Sequence, residues 1–237
     1  MNKPAFTSML SVDGAACARY HRLQPVADVM GVWVGGPTQY GLSENPWDTV
    51  LWRIAREARD RGAQAVIGIR LETRRLDEQY LEYLAFGTAV QFTDGTATGG
   101  LVLTSMLPMD QTVSLLEAGF LPTHVLSASV GERFWNTGAL GMSSRNFELV
   151  EASRAYAAGR RWVHDRIHSE AARRGCSGVL GMRFDTYLSV DPLRNTALVV
   201  NTWGFAQGIA PFVRGGGVPR TIDLTPRPVV SLRSDGL

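Results

Sequence analysis

Two stretches of this 237-residue chain resemble one another closely, and that internal repeat limits the possible folds more than any other feature. Residues 50–73, VLWRIAREARDRGAQAVIGIRLET, recur 113 positions later as residues 163–186, VHDRIHSEAARRGCSGVLGMRFDT. Eleven of the 24 positions are identical: Val50, Arg53, Ile54, Glu57, Ala58, Arg61, Gly62, Val66, Gly68, Arg70 and Thr73. Chance pairing would give about one or two. A second anchor lies upstream, where Thr7-Ser8-Met9-Leu10 reappears as Thr104-Ser105-Met106-Leu107 at an offset of 97. Each is followed three residues on by an acid, Asp13 and Asp110. A third pairs Gly87-Thr88-Ala89-Val90 with Asn195-Thr196-Ala197-Leu198 at an offset of 108. The blocks keep their order while the spacing between them changes, as happens when insertions fall in surface connections and spare packed elements.

Both copies carry the same pattern of elements. A short strand (6–10; 101–107) leads into a helix that starts at Ser11 or Pro108, proline being a good first helical residue. A β-branched run follows at 26–34 and 123–130, preceded by Pro25 or Pro122 and closed by Gly35 or Gly131. The strongest helices are expected at 46–61 and 148–174. Val50, Ile54 and Ala58 make one apolar stripe, and Val163, Ile167 and Ala171 make its counterpart. Gly62 and Gly175 stand where a helix end needs positive φ. The strands after them, 63–71 and 176–184, are apolar almost throughout, which predicts cover on both faces. A partner strand completes each hairpin, at 80–92 and 196–205. From Phe212 the chain holds Gly215-Gly216-Gly217 and several prolines, so an irregular tail is expected, with at most a short strand at 229–232.

Composition excludes several classes. The chain is 45% hydrophobic and 19% charged with a net charge of +2, which predicts a packed soluble protein without the basic field of a nucleic-acid or membrane binder. The pairs Arg160-Arg161 and Arg173-Arg174 read as a solvated helix face. Cys17 and Cys176 are far apart, with no spacing that points to a disulfide framework or a zinc module. The start, Met1-Asn2-Lys3-Pro4, opens no apolar stretch of signal-peptide length, and a cytoplasmic location is expected.

The block Gly62-Ala63-Gln64-Ala65-Val66-Ile67-Gly68-Ile69-Arg70, followed by Gly87-Thr88-Ala89-Val90, resembles the YbjQ-like family, which carries a heavy-metal-binding label. In the second copy, residues 175–185 match, with Arg183-Phe184-Asp185 close to the family's usual strand end. The resemblance covers roughly 50 residues of each copy. It implies an α+β fold of two tandem two-layer modules, each strand-helix-strand-helix-hairpin, similar to dodecin-type subunits. It further implies assembly into a ring, with a pentamer favoured and three chains forming a pseudo-sixfold ring as the alternative. This chain departs from the family pattern in its duplication, in an insertion after Gly131 and in its tail. The expected division is 1–98 for the first module, 99–210 for the second and 211–237 for a tail that could bind a protein partner.

Chemistry-bearing residues are few. Of the histidines His21, His124, His164 and His168, only His164 and His168 are spaced to meet, at i and i+4 on one helix face, as two metal ligands would be. Their counterparts in the first copy are Leu51 and Ala55, so the pair is either a gained divalent-metal site or two imidazoles at a packing boundary. Packing is the favoured reading, because Cys176 is distant along the chain and Asp165 and Glu170 occupy other parts of the wheel. Arg70 with Glu72 and Arg183 with Asp185 project to one side of their strands, as ligand-binding or inter-subunit residues would. No GxSxG, phosphate loop or paired nucleophile and base is present, so catalytic residues are not expected. Trp33, Trp47, Trp52, Trp135, Trp162 and Trp203 read as core or interface residues. The expected protein is a non-enzymatic, ring-forming structural or small-ligand-binding platform, with heavy-metal binding through His164 and His168 as the alternative.

Overall fold

The computed structural model describes residues 23–35, 45–76, 80–93, 98, 100–135, 150–190 and 197–211. The strand expected at 6–10, the helix from Ser11, the Asn195-Thr196 part of the third anchor and the tail from Phe212 lie outside the described residues. Among those described, the elements are β1 (Leu23–Gly35), α1 (Pro46–Asp60), β2 (Ala65–Arg75), β3 (Leu81–Phe92), β4 (Leu103–Thr104), α2 (Met109–Glu117), β5 (Phe120–Trp135), α3 (Val150–Arg173), β6 (Gly178–Val190) and β7 (Ala197–Pro211). They form an α+β fold with one sheet ordered β1-β3-β2-β4 and another ordered β5-β7-β6.

The local signals act as expected at the helix ends. Asn45 caps α1 by accepting a hydrogen bond from the Trp47 amide at 3.2 Å, and Pro46 opens the first turn. At the other end Gly62 takes φ +77°, Gly62 N donates to Arg59 O at 2.8 Å, and Ala63 N donates to Ala58 O at 2.9 Å. Gly175 repeats this at φ +70°, with Cys176 N donating to Ala171 O at 2.9 Å. Positive φ at that position is costly for any residue with a Cβ, so both helices stop at their glycine.

The sheets repeat one another as well. β1 and β5 each shift register just after their proline, between Pro25 and Ala27 and between Pro122 and His124. β2 and β6 shift between Ile67 and Arg70 and between Leu180 and Arg183, around Gly68 at φ +62° and Gly181 at φ +60°. Pairing also corrects the third sequence anchor. Ala65 and Val66 lie opposite Val90 and Ala89, whereas their counterparts Gly178 and Val179 lie opposite Ile209 and Gly208. Gly87-Thr88-Ala89-Val90 is therefore matched in space by Ala206-Gln207-Gly208-Ile209, not by residues 195–198. Only the ladder to the neighbouring strand fixes such a register. The second-half strands are also longer than expected, because Gly131 stays paired with Asn201 and β6 continues to Val190 opposite Leu198.

Each long helix buries its predicted stripe on its own sheet. Val50, Ile54 and Ala58 are fully buried over the first sheet. Gly31 lets α1 approach so closely that a Cβ there would lie 2.3 Å from Val50 O. Val163, Ile167 and Ala171 do the same over the second sheet, above Gly204, whose added Cβ would meet Val163 Cγ1 at 2.2 Å.

The halves interlock through two contacts. β4 lies beyond the expected 98/99 boundary, yet it pairs in parallel with β2, Ala65 opposite Leu103 and Val66 opposite Thr104. α2 follows it and sets Met109 and Val113 against Leu23, Ala65, Ile67 and Val90 of the first sheet. In the other contact α1 is held between its own sheet and the second one. The Trp47 ring stands edge-on to Tyr83 on one side and to Phe205 on the other, with centroids 5.1 Å away in each case. The expectation that both faces of the apolar strand are covered holds for β2, where Ala65, Val66, Ile67 and Ile69 are all buried. It fails for β6, where Leu180 is 38% exposed in the place of Ile67, because the described residues supply β6 with no counterpart of β4 and α2.

Candidate functional site

The site best defined by geometry is the crevice where α1 and β2 face β6 and β7. It measures about 230 Å³ and is lined by Trp47, Leu71 and Thr73 from one half and by Asp185, Tyr187 and Trp203 from the other. Alternation along the strands builds it. Arg183, Asp185 and Tyr187 leave β6 on the side facing the first half, while Phe184 turns to the α3 core. Tyr187 and Trp203 pack with ring centroids 4.9 Å apart, and the Arg183 guanidinium sits 5.2 Å above the Phe205 ring. Burial pushes the Tyr187 hydroxyl above its ordinary pKa, against the pull of Arg75. Among the described residues the buried Nε1 of Trp47 has no hydrogen-bond partner, so an N–H donor is left unsatisfied at the crevice wall. The crevice wall thus combines aromatic and alkyl surface with the Asp185 carboxylate.

The first-half counterparts are placed differently. Arg70 lies opposite Phe86 and Glu72 opposite Leu84, on the face of the first sheet away from α1. Glu72 accepts a hydrogen bond from Arg74 Nη2 at 2.9 Å. Leu71 and Thr73, which line the crevice, leave β2 on the opposite face, so the strand itself separates Arg70 and Glu72 from Asp185. Asp185 thus lines the crevice, with Arg183 beside it over the Phe205 ring, while Arg70 and Glu72 stand on the other face of the first sheet.

His164 and His168 lie on the exposed outer face of α3 with ring centroids 4.4 Å apart. Asp165, assigned by the helical wheel to another sector, turns back so that its Oδ1 lies 3.1 Å from His164 Nδ1. Glu170 is engaged elsewhere, accepting bonds of 2.6–2.8 Å from Arg173 and Arg174 that hold its carboxyl down at about 2. Cys176 is also committed, 3.4 Å from Thr123 Oγ1 and against the space left by Gly208. His124 packs at the α3 side of β5, where burial lowers its pKa. Among the described residues no three His, Cys, Asp or Glu side chains converge, so the donors present do not make a closed metal set.

Sequence reasoning missed the polar hub of the structure. Gln207 is fully buried in β7, where its Nε2 donates to Thr104 O, His124 O and Gly208 O at 3.0–3.2 Å and its Oε1 accepts from Met106 N at 3.0 Å. It fastens the β4 segment to the second sheet. The available signal was an amide side chain inside the apolar run from Trp203 to Ile209. A smaller cluster was missed too: Ser127 accepts from Asn45 Nδ2 at 2.8 Å and donates to Asp48 Oδ1 at 3.2 Å.

Comparison with known proteins finds a family match in the first half and a relative that spans most of the chain. Residues 26–93 match the YbjQ family, described as "Putative heavy-metal-binding". The chain is 29% identical over 205 residues to a protein of Mycobacterium tuberculosis described as an encapsulin nanocompartment protein, with 76% of this chain and 78% of that protein covered. It is 40% identical over 60 residues to a UPF0145 protein of Methanococcus maripaludis, a stretch that is 24% of this chain and 54% of that protein. No solved structure matches significantly. The part of the chain that matches this family, residues 26–93, takes in most of β1 together with α1, β2 and β3.

Proposed function

We propose that this protein is a non-enzymatic, cytoplasmic, self-associating platform made of two YbjQ-type modules, 1–98 and 99–210, with 211–237 appended. The observation that carries it is the seat of α1 on the second sheet. Trp47 and Leu51 are buried there, whereas the matching positions on α3, Arg160 and His164, are exposed. The matching face of the first sheet leaves Met30 55% and Val34 51% exposed. The positions that make this contact inside the chain thus recur unburied on α3 and on the first sheet, and a head-to-tail contact between copies closes a ring when the rotation allows. Five chains are favoured, with three chains as a pseudo-sixfold ring the alternative. Similarity to a protein described as an encapsulin nanocompartment protein supports an assembling role. The crevice beside Trp47, with Arg183 and Asp185, is its small-ligand site, and the outward pair Arg70 and Glu72 belongs to the contact between subunits. Native mass spectrometry and sedimentation at micromolar concentration test the reading, and a stable monomer would end it.

A second reading is divalent-metal binding by His164 and His168. The 4.4 Å ring separation and the description of the matched family favour it. Calorimetry with zinc, copper and nickel on the wild type and on His164→Ala decides it. An absent isotherm, or one unchanged by the substitution, removes the histidines from consideration.

A further inference from the structure

We infer that the outer edge of β6 is the docking site for residues 7–10 of a second copy of this chain, which add to it as a parallel strand. The inference rests on the self-association reading and names the strand exchange that would build it.

The template lies inside the chain. Thr104-Ser105-Met106-Leu107 runs along the edge of β2, where Leu103 N donates to Gln64 O at 3.0 Å, Ser105 N to Val66 O at 2.8 Å and Ile69 N to Ser105 O at 2.8 Å. The acceptor edge is the strand after the helix-ending glycine. β6 reproduces it with the same glycine conformation, the same register shift and the same first rung, Ser177 N to Ile209 O at 2.7 Å for Gln64 N to Val90 O at 2.9 Å. The carbonyls of Ser177 and Val179 and the amides of Gly181 and Met182 therefore stand where β2 presents its β4-binding groups. Among the described residues β6 is the edge strand of its sheet, with Leu180 38% exposed where Ile67 is 2% exposed. An apolar edge of this kind invites another strand.

The occupant is identified by its own repeat. Thr7-Ser8-Met9-Leu10 is identical to Thr104-Ser105-Met106-Leu107, and the offset of 97 is the one that relates Pro25 of β1 to Pro122 of β5. It therefore precedes β1 by the same length of chain as the docked segment precedes β5. In the template this segment pairs with the half before its own, not with the half it introduces. By the same rule residues 7–10 would pair with a second half, which in the strand exchange comes from another copy of the chain. Each protomer would then donate at one end and accept at the other, a heterologous contact that propagates until it closes.

Two substitutions in the full chain test this. Ser8→Pro removes the amide equivalent to Ser105 N and blocks donation, and Leu180→Asp places a charge on the accepting edge. Each alone is expected to weaken self-association at least ~tenfold in native mass spectrometry and sedimentation, with a circular-dichroism melt reporting that each variant is folded. Mixed in equal amounts, the intact donor of one variant meets the intact acceptor of the other, and a 1:1 pair should form. Wild-type stoichiometry in both variants would overturn the strand exchange while leaving self-association standing. A mixture that stays as weakly associated as its components would overturn the donor and acceptor assignment. A monomeric wild type would remove both the platform reading and this inference.

Discussion

Trp47 and Phe205 meet edge to face, 5.1 Å between ring centroids at 86°, and this contact joins a helix of the first half to a sheet of the second. Tyr83 closes the other side of the indole at 5.1 Å and 87°. Trp47 is 2% exposed, so its removal would open a cavity that two sheets border. Trp47→Ala is expected to cost about 3–5 kcal/mol of unfolding free energy, measured by urea denaturation. Because Nε1 has no hydrogen-bond partner among the described residues, Trp47→Phe loses packing alone and should cost roughly 1–2 kcal/mol. Equal losses from the two changes would mean that the indole nitrogen is bonded after all.

Gln207 raises the opposite case, a buried polar group hydrogen-bonded through both its oxygen and its nitrogen. Replacing it with Leu keeps most of the volume but strands Met106 N and Thr104 O beside an apolar side chain. Each unsatisfied buried group costs about 1–3 kcal/mol, so Gln207→Leu should destabilise by ~2–5 kcal/mol. The loss should be local first. Hydrogen exchange at Ser105 and Ile69, whose amides hold the β4 segment on β2, should speed up before that at Ile54 in the α1 core.

These two residues also show where sequence reading succeeds and where it stops. The stripe of Val50, Ile54 and Ala58 and the glycine ends at Gly62 and Gly175 were legible, because helical periodicity and positive φ are local properties. The match between Gly87–Val90 and residues 206–209 was not, since Gly-Thr-Ala-Val and Ala-Gln-Gly-Ile share almost nothing and only the ladders to β2 and β6 align them. The apolar run of β6 promised cover on both faces, but sequence periodicity does not reveal which segment provides the cover. Arg70 and Glu72 lie on β2 and Arg183 and Asp185 on β6, strands that run past the expected ends at 71 and 184. The separation of the two pairs by β2 became visible only once the two sheets were set against each other. His164 met Asp165 against the wheel, because a side chain can bend towards its neighbour even though adjacent helical positions diverge.

Gly204 offers a test of how closely α3 sits on its sheet. A methyl group there would overlap Val163 Cγ1 at 2.2 Å and crowd Ile167 Cδ1 at 3.1 Å. Both belong to fully buried side chains with little room to retreat. Gly204→Ala should therefore destabilise by about 1–3 kcal/mol in urea unfolding, despite the gain that alanine brings by restricting the unfolded chain. Pairing it with Val163→Ala, which vacates the overlapped position, should recover part of the loss, and strict additivity of the two changes would contradict the contact.

Glu170 sets how the second half responds to acid. Its carboxyl is drawn from an ordinary 4.5 down to about 2, first by the hydrogen bonds from Arg173, with Arg174 adding bonds and charge and burial opposing both. A depressed carboxylate favours the folded state wherever the unfolded chain would bind the proton and the folded one would not. Its contribution is therefore complete above pH 4.5 and fades as the pH falls from there towards 2. His124 acts over a higher range: burial lowers its pKa from 6.5, so the unfolded chain takes up a proton first and stability declines as the pH drops below 6.5. Thermal melts across pH 2–7 should separate the two. Glu170→Gln should flatten the slope of melting temperature between pH 4.5 and 2 while leaving the decline that begins near 6.5, and His124→Asn should do the reverse. If Glu170→Gln left the acid limb unchanged, the bonds from Arg173 and Arg174 would not be holding the end of α3 in solution.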